Sequence, residues 1–344
     1  MENIYNLLPE ALLPWYAEHK RQLPWRQDKE PYHVWVSEIM LQQTRVEAVK
    51  GYYARFLAAL PTINALAGCD DDVLYKLWEG LGYYSRVRNM KKAAGVIQEA
   101  HGGVFPEEYE KIRALPGIGD YTAGAICSIC FDKPTPAVDG NVLRVIARLT
   151  DDAAPIDLPA YKTGVRQRLA HVYPKAAGEF TQALMELGAT VCVPNRKPDC
   201  DSCPCRSFCR GYQRGTAEAL PVKLPKKQRR IEEKTVLILS CQGSYALQKR
   251  QGKGLLAGMW QFPDIPGGLE VQQILAAVEA MGLAPKEVYR SVRRKHIFTH
   301  VQWNMEGIYL EVTEPGGDFS WMTAGQINEQ VALPTAYRLF WEEV

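Results

Sequence analysis

The chain has 344 residues, of which 47% are hydrophobic and 23% charged, and its formal net charge is +2. That length predicts two domains, each able to bury its own core. Apolar content this high with so small a net charge excludes intrinsic disorder, and no apolar run approaches the roughly 20 residues that cross a bilayer. The start, Met1-Glu2-Asn3, lacks the basic and then apolar pattern of a secretory signal. An intracellular, reducing compartment is therefore expected, where nine cysteines do not form disulfides.

Residues 1 to about 215 read as helical. Ile4, Leu7, Leu8, Ala11, Leu12 and Trp15 recur at helical spacing. The stretch VWVSEIMLQQT (34–44) places Glu38 among apolar neighbours. A glutamate there is ordinarily solvated; if Trp35, Ile39 and their neighbours bury it, its pKa rises and it can act as a general acid near neutral pH. LPGIG at 115–119 lies between two helical segments, Glu107–Ala114 and Tyr121–Ser128. Gly117 and Gly119 permit a tight turn whose N–H groups, at the start of the second helix, suit a phosphate oxygen. Any helical hairpin may use glycine, but Lys111 and Arg113 just before the turn add charge that a DNA backbone would welcome. Asp139, in PAVDGNVLRV (136–145), precedes a helix and has the plain role of its N-cap.

Phe180, Ala183, Leu184, Leu187 and Val191 run directly into Cys192, which opens a loop holding five of the nine cysteines. Cys192, Cys200, Cys203 and Cys209 are separated by seven, two and five residues. Four thiolates suit zinc or a 4Fe–4S cluster. A single loop with uneven spacing, holding one close pair, favours iron–sulfur, with Cys205 as a competing ligand. Beyond it, KLPKKQRR (223–230) reads as an exposed basic linker within 216–233. Strands follow at 235–240 and 245–250, an amphipathic helix at Val271–Met281, and an alternating strand through Val301, Trp303 and Met305. The domains expected are thus 1–215, all-α, and 234–344, α+β.

Together these segments resemble the MutY family of adenine DNA glycosylases, in the helix-hairpin-helix superfamily that also includes endonuclease III. The matching residues are Leu23-Pro24-Trp25-Arg26, SEIMLQQT (37–44), GLGYYSRVRN (80–89), LPGIGDYTAGAI (115–126), VDGNVLRV (138–145), the cysteine loop, GLLAGMWQFP (254–263) and Phe298-Thr299-His300. The resemblance implies a helical glycosylase domain with an iron–sulfur loop, followed by a Nudix-like domain that recognises 8-oxoguanine. It implies a hydrolase of base excision repair that acts as a cytoplasmic monomer on double-stranded DNA carrying adenine opposite 8-oxoguanine. Glu38 becomes the acid that protonates adenine, and Asp139 the carboxylate that stabilises the oxocarbenium ion. Tyr121 and Asn141 complete the catalytic group. Arg26, Gln43, Thr44, Leu81, Tyr83, Gly117, Gly119, Phe298, Thr299 and His300 contact substrate or DNA. Cys192, Cys200, Cys203 and Cys209 hold the cluster.

Tyr121 stands where the family's lyase relatives carry lysine. Schiff-base formation needs an amine, so hydrolysis without strand cleavage is expected. After Gly267-Gly268 the chain runs LEVQQILAAVEAMG, without the glutamate and arginine cluster that holds magnesium in Nudix hydrolases, so pyrophosphatase activity is not expected. Two departures from the family pattern stand out: Thr299 replaces a serine, and the first cysteine gap has seven residues where six is usual. The rival readings are an endonuclease III-like enzyme, against which Tyr121 and the second domain argue, and a non-catalytic redox-sensing DNA binder, against which Glu38 and Asp139 argue.

Overall fold

The computed structural model describes residues 4–225, 228–251 and 254–344. Residues 1–3 and Lys226 and Lys227 of the expected linker lie outside the described residues. Contacts divide the chain into two units: Met1–Cys69 with Arg88–Pro225, and Asp70–Val87 with Lys226–Val344.

The first unit is helical. Helix Pro31–Leu41 begins with proline, whose missing N–H costs nothing in a first turn, and buries every residue from Val34 to Met40. A helix apolar all round belongs in the centre of its unit. Helix Asp120–Phe131 is buried in the same way from Thr122 to Ile129. Against these lie helices Gly140–Thr150 and Ala177–Thr190, with Leu8, Leu12, Val142, Ile146, Phe180 and Leu184 in the shared core. The helix before the LPGIG turn is shorter than its sequence suggests, Tyr109–Arg113, and the one after it is longer.

The second unit is built on a sheet. Its strands are β1 (Arg230–Cys241), β2 (Ser244–Lys249), β3 (Trp260–Gln261), β4 (Asp264–Pro266), β5 (Pro285–Ile297), β6 (Val301–Val312) and β7 (Ser320–Thr323). Their order is β3-β2-β1-β6-β5, with β4 paired to β1 and β7 to β2. Central β1 and β6 run parallel, from Arg230 opposite Val301 to Ser240 opposite Glu311. The unbroken apolar run of β1 follows from burial on both faces. Val236 and Ile238 meet Ile327, Tyr337 and Phe340 on one side; Leu237 and Leu239 meet Ile274 and Val278 of helix Val271–Ala280 on the other. β1 starts at Arg230, inside the stretch expected as linker, because the ladder with β6 continues back to Val301. Residues 70–87, grouped by sequence with the helical domain, make their contacts here. The Lys249 ammonium and the Trp260 indole N–H reach Asp72 at 2.9 and 3.1 Å, and the Leu333 N–H donates to Glu79 at 3.1 Å. No helix among the described residues is long and apolar enough to cross a membrane.

Candidate active site

A cleft of about 1020 Å³ opens into the helical unit, lined among others by Arg26, Glu38, Tyr121, Asp139, Asn141 and Glu186. Gln43 and Thr44 border the same cleft. Seven residues singled out from sequence thus meet in one place, although they are spread from position 26 to 141.

Glu38 is 6% exposed. Burial pushes its carboxyl up to about 7, and the neighbouring Asp139 charge pushes the same way; the hydrogen bond from Tyr121 and the Arg26 charge oppose them. The Tyr121 hydroxyl donates to Glu38 Oε2. Among the described residues nothing hydrogen-bonds Oε1. The apolar side chains that line the cleft with Glu38 include Val34, Leu41 and Ile129, while Trp35 and Ile39 are buried on the same helix without lining it. Val34 and Leu41, at i−4 and i+3, share the face of Glu38; Trp35, at i−3, borders that face too, but its ring packs edge-on against Tyr32 and Phe105.

Asp139 combines two roles. Its Oδ1 caps helix Gly140–Thr150 by accepting the Val142 N–H at 2.8 Å, while Oδ2 accepts from the Asn141 amide at 2.7 Å. Burial raises its pKa, and these bonds to the charged form oppose the rise. Asn141 is held in turn by Arg144, whose guanidinium donates to Asn141 Oδ1 at 2.8 Å and to the carbonyls of Gly188 and Cys192 at 2.7 and 2.8 Å. Gly188 is required here, since a Cβ on it would lie 2.6 Å from Asn141 Cβ.

Glu186 escaped the reading of the sequence. Its side chain is fully buried and ion-paired to Arg21 Nε at 2.6 Å and Arg26 Nη2 at 2.7 Å. Burial alone would raise its pKa, but the bonds from Arg21 and Arg26 outweigh it and hold the carboxyl at about 2. The signal was a glutamate on an apolar helix, FTQALMELGAT, the same signal that Glu38 gives.

At the hairpin, Gly117 has φ +79° and a Cβ there would meet Asn89 Cβ at 2.6 Å, so only glycine fits. Gly119 caps the second helix in extended conformation with open space around its Cβ position, which leaves room for a ligand at the amides. Arg113 is not free for it: Asp120 takes its Nε at 2.6 Å and also pairs with Arg166 at 3.1 Å. Lys111 pairs with Glu108 at 2.9 Å. Gln43 and Tyr83 are exposed and each has positive φ, 63° and 48°. Such strain in a residue other than glycine is found preferentially at functional positions. Leu81, by contrast, is buried.

In the second unit Phe298-Thr299-His300 forms the tip of the β5–β6 hairpin, closed by the Phe298 N–H donating to the Val301 carbonyl at 2.8 Å. Thr299 and His300 are exposed, while Phe298 is half-buried and turns onto Trp303. The Thr299 hydroxyl lies 3.4 Å from that of Tyr83.

Cys192, Cys200, Cys203 and Cys209 line one small hollow with Val145, Leu187 and Val191; Cys205 is fully buried and does not line it. Among the described residues no three His, Cys, Asp or Glu side chains converge to hold a single ion. Arg148, 4% exposed, directs its guanidinium to Cys192 Sγ at 3.3 Å and to the Val193 and Leu220 carbonyls. No carboxylate pairs with it among the described residues. A buried cation aimed at sulfur complements thiolates, so the donor set fits an anionic thiolate-bound group.

Residues 36–154 match the HhH-GPD superfamily of base excision DNA repair proteins, and residues 235–343 match the NUDIX domain. The adenine DNA glycosylase of Rattus norvegicus is 35% identical over 96% of this chain and 73% of its own length. That of Homo sapiens is 37% identical over 95% and 72%. That of Buchnera aphidicola subsp. Baizongia pistaciae is 33% identical over 89% and 86%. Among solved structures, a thermostable thymine-DNA glycosylase is 26% identical with a TM-score of 0.56, covering 61% of this chain and 97% of that one. A trapped endonuclease III–DNA covalent intermediate, 22% identical with a TM-score of 0.51 over 60% and 94%, shares the fold.

Proposed function

The chain belongs to the adenine DNA glycosylases, and from that premise we propose how its cleft removes the base and which mispair it serves. The reaction is excision of adenine from DNA in base excision repair, a hydrolysis of the N-glycosidic bond. The substrate we assign is adenine opposite 8-oxoguanine, and to a lesser degree opposite guanine.

The observation that carries the mechanism is a buried Glu38 that shares its cleft with a half-buried Asp139. Adenine is a poor leaving group as an anion, so a proton must reach its imidazole ring before the bond breaks. Glu38, with a pKa near 7, still carries that proton at neutral pH. The Tyr121 hydroxyl occupies Oε2, which leaves Oε1 to face the base. Burial and the Glu38 and Asp139 charges push the Tyr121 pKa well up, so Tyr121 stays a neutral donor, and having no amine it cannot form a Schiff base. Departure of neutral adenine leaves an oxocarbenium ion. Asp139 stabilises it, its charge fixed in place by Val142 N–H and Asn141, and deprotonated Glu38 then activates water. Arg26, clamped by Glu186, lines the pocket for the flipped base, whose extrusion costs a few kcal/mol. Gln43 fills the opened stack, Thr44 contacts the DNA, and Tyr83 is a DNA contact of the second unit. Leu81 is buried, and the Gly117–Gly119 amides hold a backbone phosphate.

Cys192, Cys200, Cys203 and Cys209, which line one hollow, would hold a 4Fe–4S cluster, whose thiolate bonds would tie the ends of the 192–209 loop together. Thr299 and His300 read 8-oxoguanine from a Nudix-like domain near 234–344, and the enzyme works as a cytoplasmic monomer. Incubation with a duplex carrying adenine opposite 8-oxoguanine, with and without alkali, tests the whole reading. Breaks appearing only after alkali are expected. Breaks without alkali would reveal a lyase, and absence of product would overturn the assignment. Loss of iron in Cys192→Ser but not in Cys205→Ser checks the ligand set.

A further inference from the structure

Beneath the Phe298–His300 tip lies a buried charged assembly that nothing above uses. The Phe298 ring meets the Trp303 indole edge-on, centroids 4.7 Å apart, with His296 on its other side at 4.4 Å. Trp303 is 1% exposed, and its indole N–H donates to Glu232 at 2.9 Å. Two cations lie over the same indole: Lys234 Nζ at 4.7 Å and the Arg250 guanidinium at 5.6 Å from the centroid. Lys234 is ion-paired to Asp264 at 2.7 Å, both side chains 9% exposed. The Tyr337 hydroxyl sits 3.1 Å from Asp264 Oδ2 and 3.0 Å from Gln261 Oε1. Gln261 accepts from Arg250 at 2.9 Å and donates to Asp264 at 3.0 Å. Each polar group is met and the indole is gripped from several sides.

Such an assembly is a poor way to gain stability, because apolar residues of equal volume do as well or better than a buried ion pair. What it does provide is a fixed position. Trp303 cannot slide without breaking the cation–π contacts to Lys234 and Arg250 and the bond to Glu232. Phe298 is the residue through which the tip leans on that fixed ring. The exposed Thr299 hydroxyl follows one residue later, and a hydroxyl bond to a base edge fails once it stretches much beyond 3 Å.

We propose that Trp303, held by Lys234, Arg250 and Asp264, is a positioning residue for lesion recognition. Through Phe298 it sets where the Thr299 hydroxyl meets 8-oxoguanine. The proposal rests on the reading of 298–300 as the 8-oxoguanine loop. Guanine lacks the oxidised edge, so excision of adenine opposite guanine is indifferent to the device.

The test compares single-turnover excision rates on adenine opposite 8-oxoguanine and opposite guanine. Trp303→Leu is expected to lower the ratio of the two rates about fivefold, the worth of roughly one hydrogen bond, with the guanine rate within about twofold of wild type. Trp303→Phe keeps a ring under Phe298 and restores most of the ratio. If Trp303→Leu fails to fold, the double variant Lys234→Met with Asp264→Asn keeps the core filled and removes the Lys234–Asp264 ion pair, leaving Arg250 over the indole; its expected loss in the ratio is about threefold. An unchanged ratio in the folded variant, or two rates that fall in proportion, overturns the proposal. Thr299→Ala is measured in parallel. If it lowers the ratio and the Trp303 variants do not, the positioning role alone fails; if it leaves the ratio unchanged, the loop reading fails and takes this inference with it.

Discussion

The two walls of the cleft each bury a glutamate, and the two carboxyls are driven in opposite directions. Glu38, on helix Pro31–Leu41, is pushed up to about 7; Glu186, on helix Ala177–Thr190, is held at about 2. Burial raises both. Their partners differ: a neutral phenol meets Glu38, whereas two guanidinium groups meet Glu186. A hydroxyl supports the charged form weakly, and a pair of cations supports it strongly. One glutamate can therefore deliver a proton near neutral pH while its neighbour remains a permanent anion that fixes Arg26. Acid and scaffold are assigned by partners, not by residue type.

Removing the proton donor gives the largest expected effect. Glu38→Gln keeps shape and burial but has no acidic proton, and single-turnover excision is expected to fall about a thousandfold, roughly 4 kcal/mol, with binding to the mispair retained. A rate within tenfold of wild type would break the contrast at once. Glu186→Gln tests the other wall. It leaves two arginines against an amide, and because Arg21 is 36% exposed solvent covers part of the loss. The expected cost is about 2 kcal/mol in denaturant unfolding, together with an excision rate about tenfold lower as Arg26 loses its anchor. If stability and rate both stay at the wild-type level, Glu186 is no scaffold.

A third effect, on stability and not on rate, depends on pH. The folded Glu38 pKa of about 7 lies above its ordinary value of 4.5. Its neutral form therefore favours the fold below pH 4.5, and that contribution is lost as pH rises through 7. Glutamine does not titrate. Glu38→Gln is thus expected to be more stable than wild type by roughly 3 kcal/mol at pH 8 and by little at pH 4, measured by chemical denaturation at the two pH values. An equal difference at both would mean that Glu38 titrates normally.

Much of this was legible in the chain because local pattern carries it. The helical half, the β1 run and the alternation of β6 follow from periodicity, and Glu38, Asp139 and the cysteines stand in motifs. Glu186 did not emerge, because what distinguishes it is Arg21, 165 positions away; no local pattern records that meeting. Trp35 and Val34 both stand at helical neighbour positions of Glu38, yet only Val34 lines the cleft, because the Trp35 ring is taken up by Tyr32 and Phe105, a choice that helical spacing alone does not record. Residues 70–87 read as more of the helical domain, and only their bonds to Lys249, Trp260 and Leu333 place them with the sheet.

The most direct test of the central claim, that Glu38 is the protonated acid, is the pH profile of adenine excision. The rate would be followed in single turnover, below saturation, from pH 5.5 to 9 on a duplex carrying adenine opposite 8-oxoguanine. The structure predicts a rate that declines as pH rises through about 7, approaching tenfold per pH unit, and a far lower profile without that inflection for Glu38→Gln. A wild-type rate that stays flat or climbs between pH 7 and 9 would contradict it.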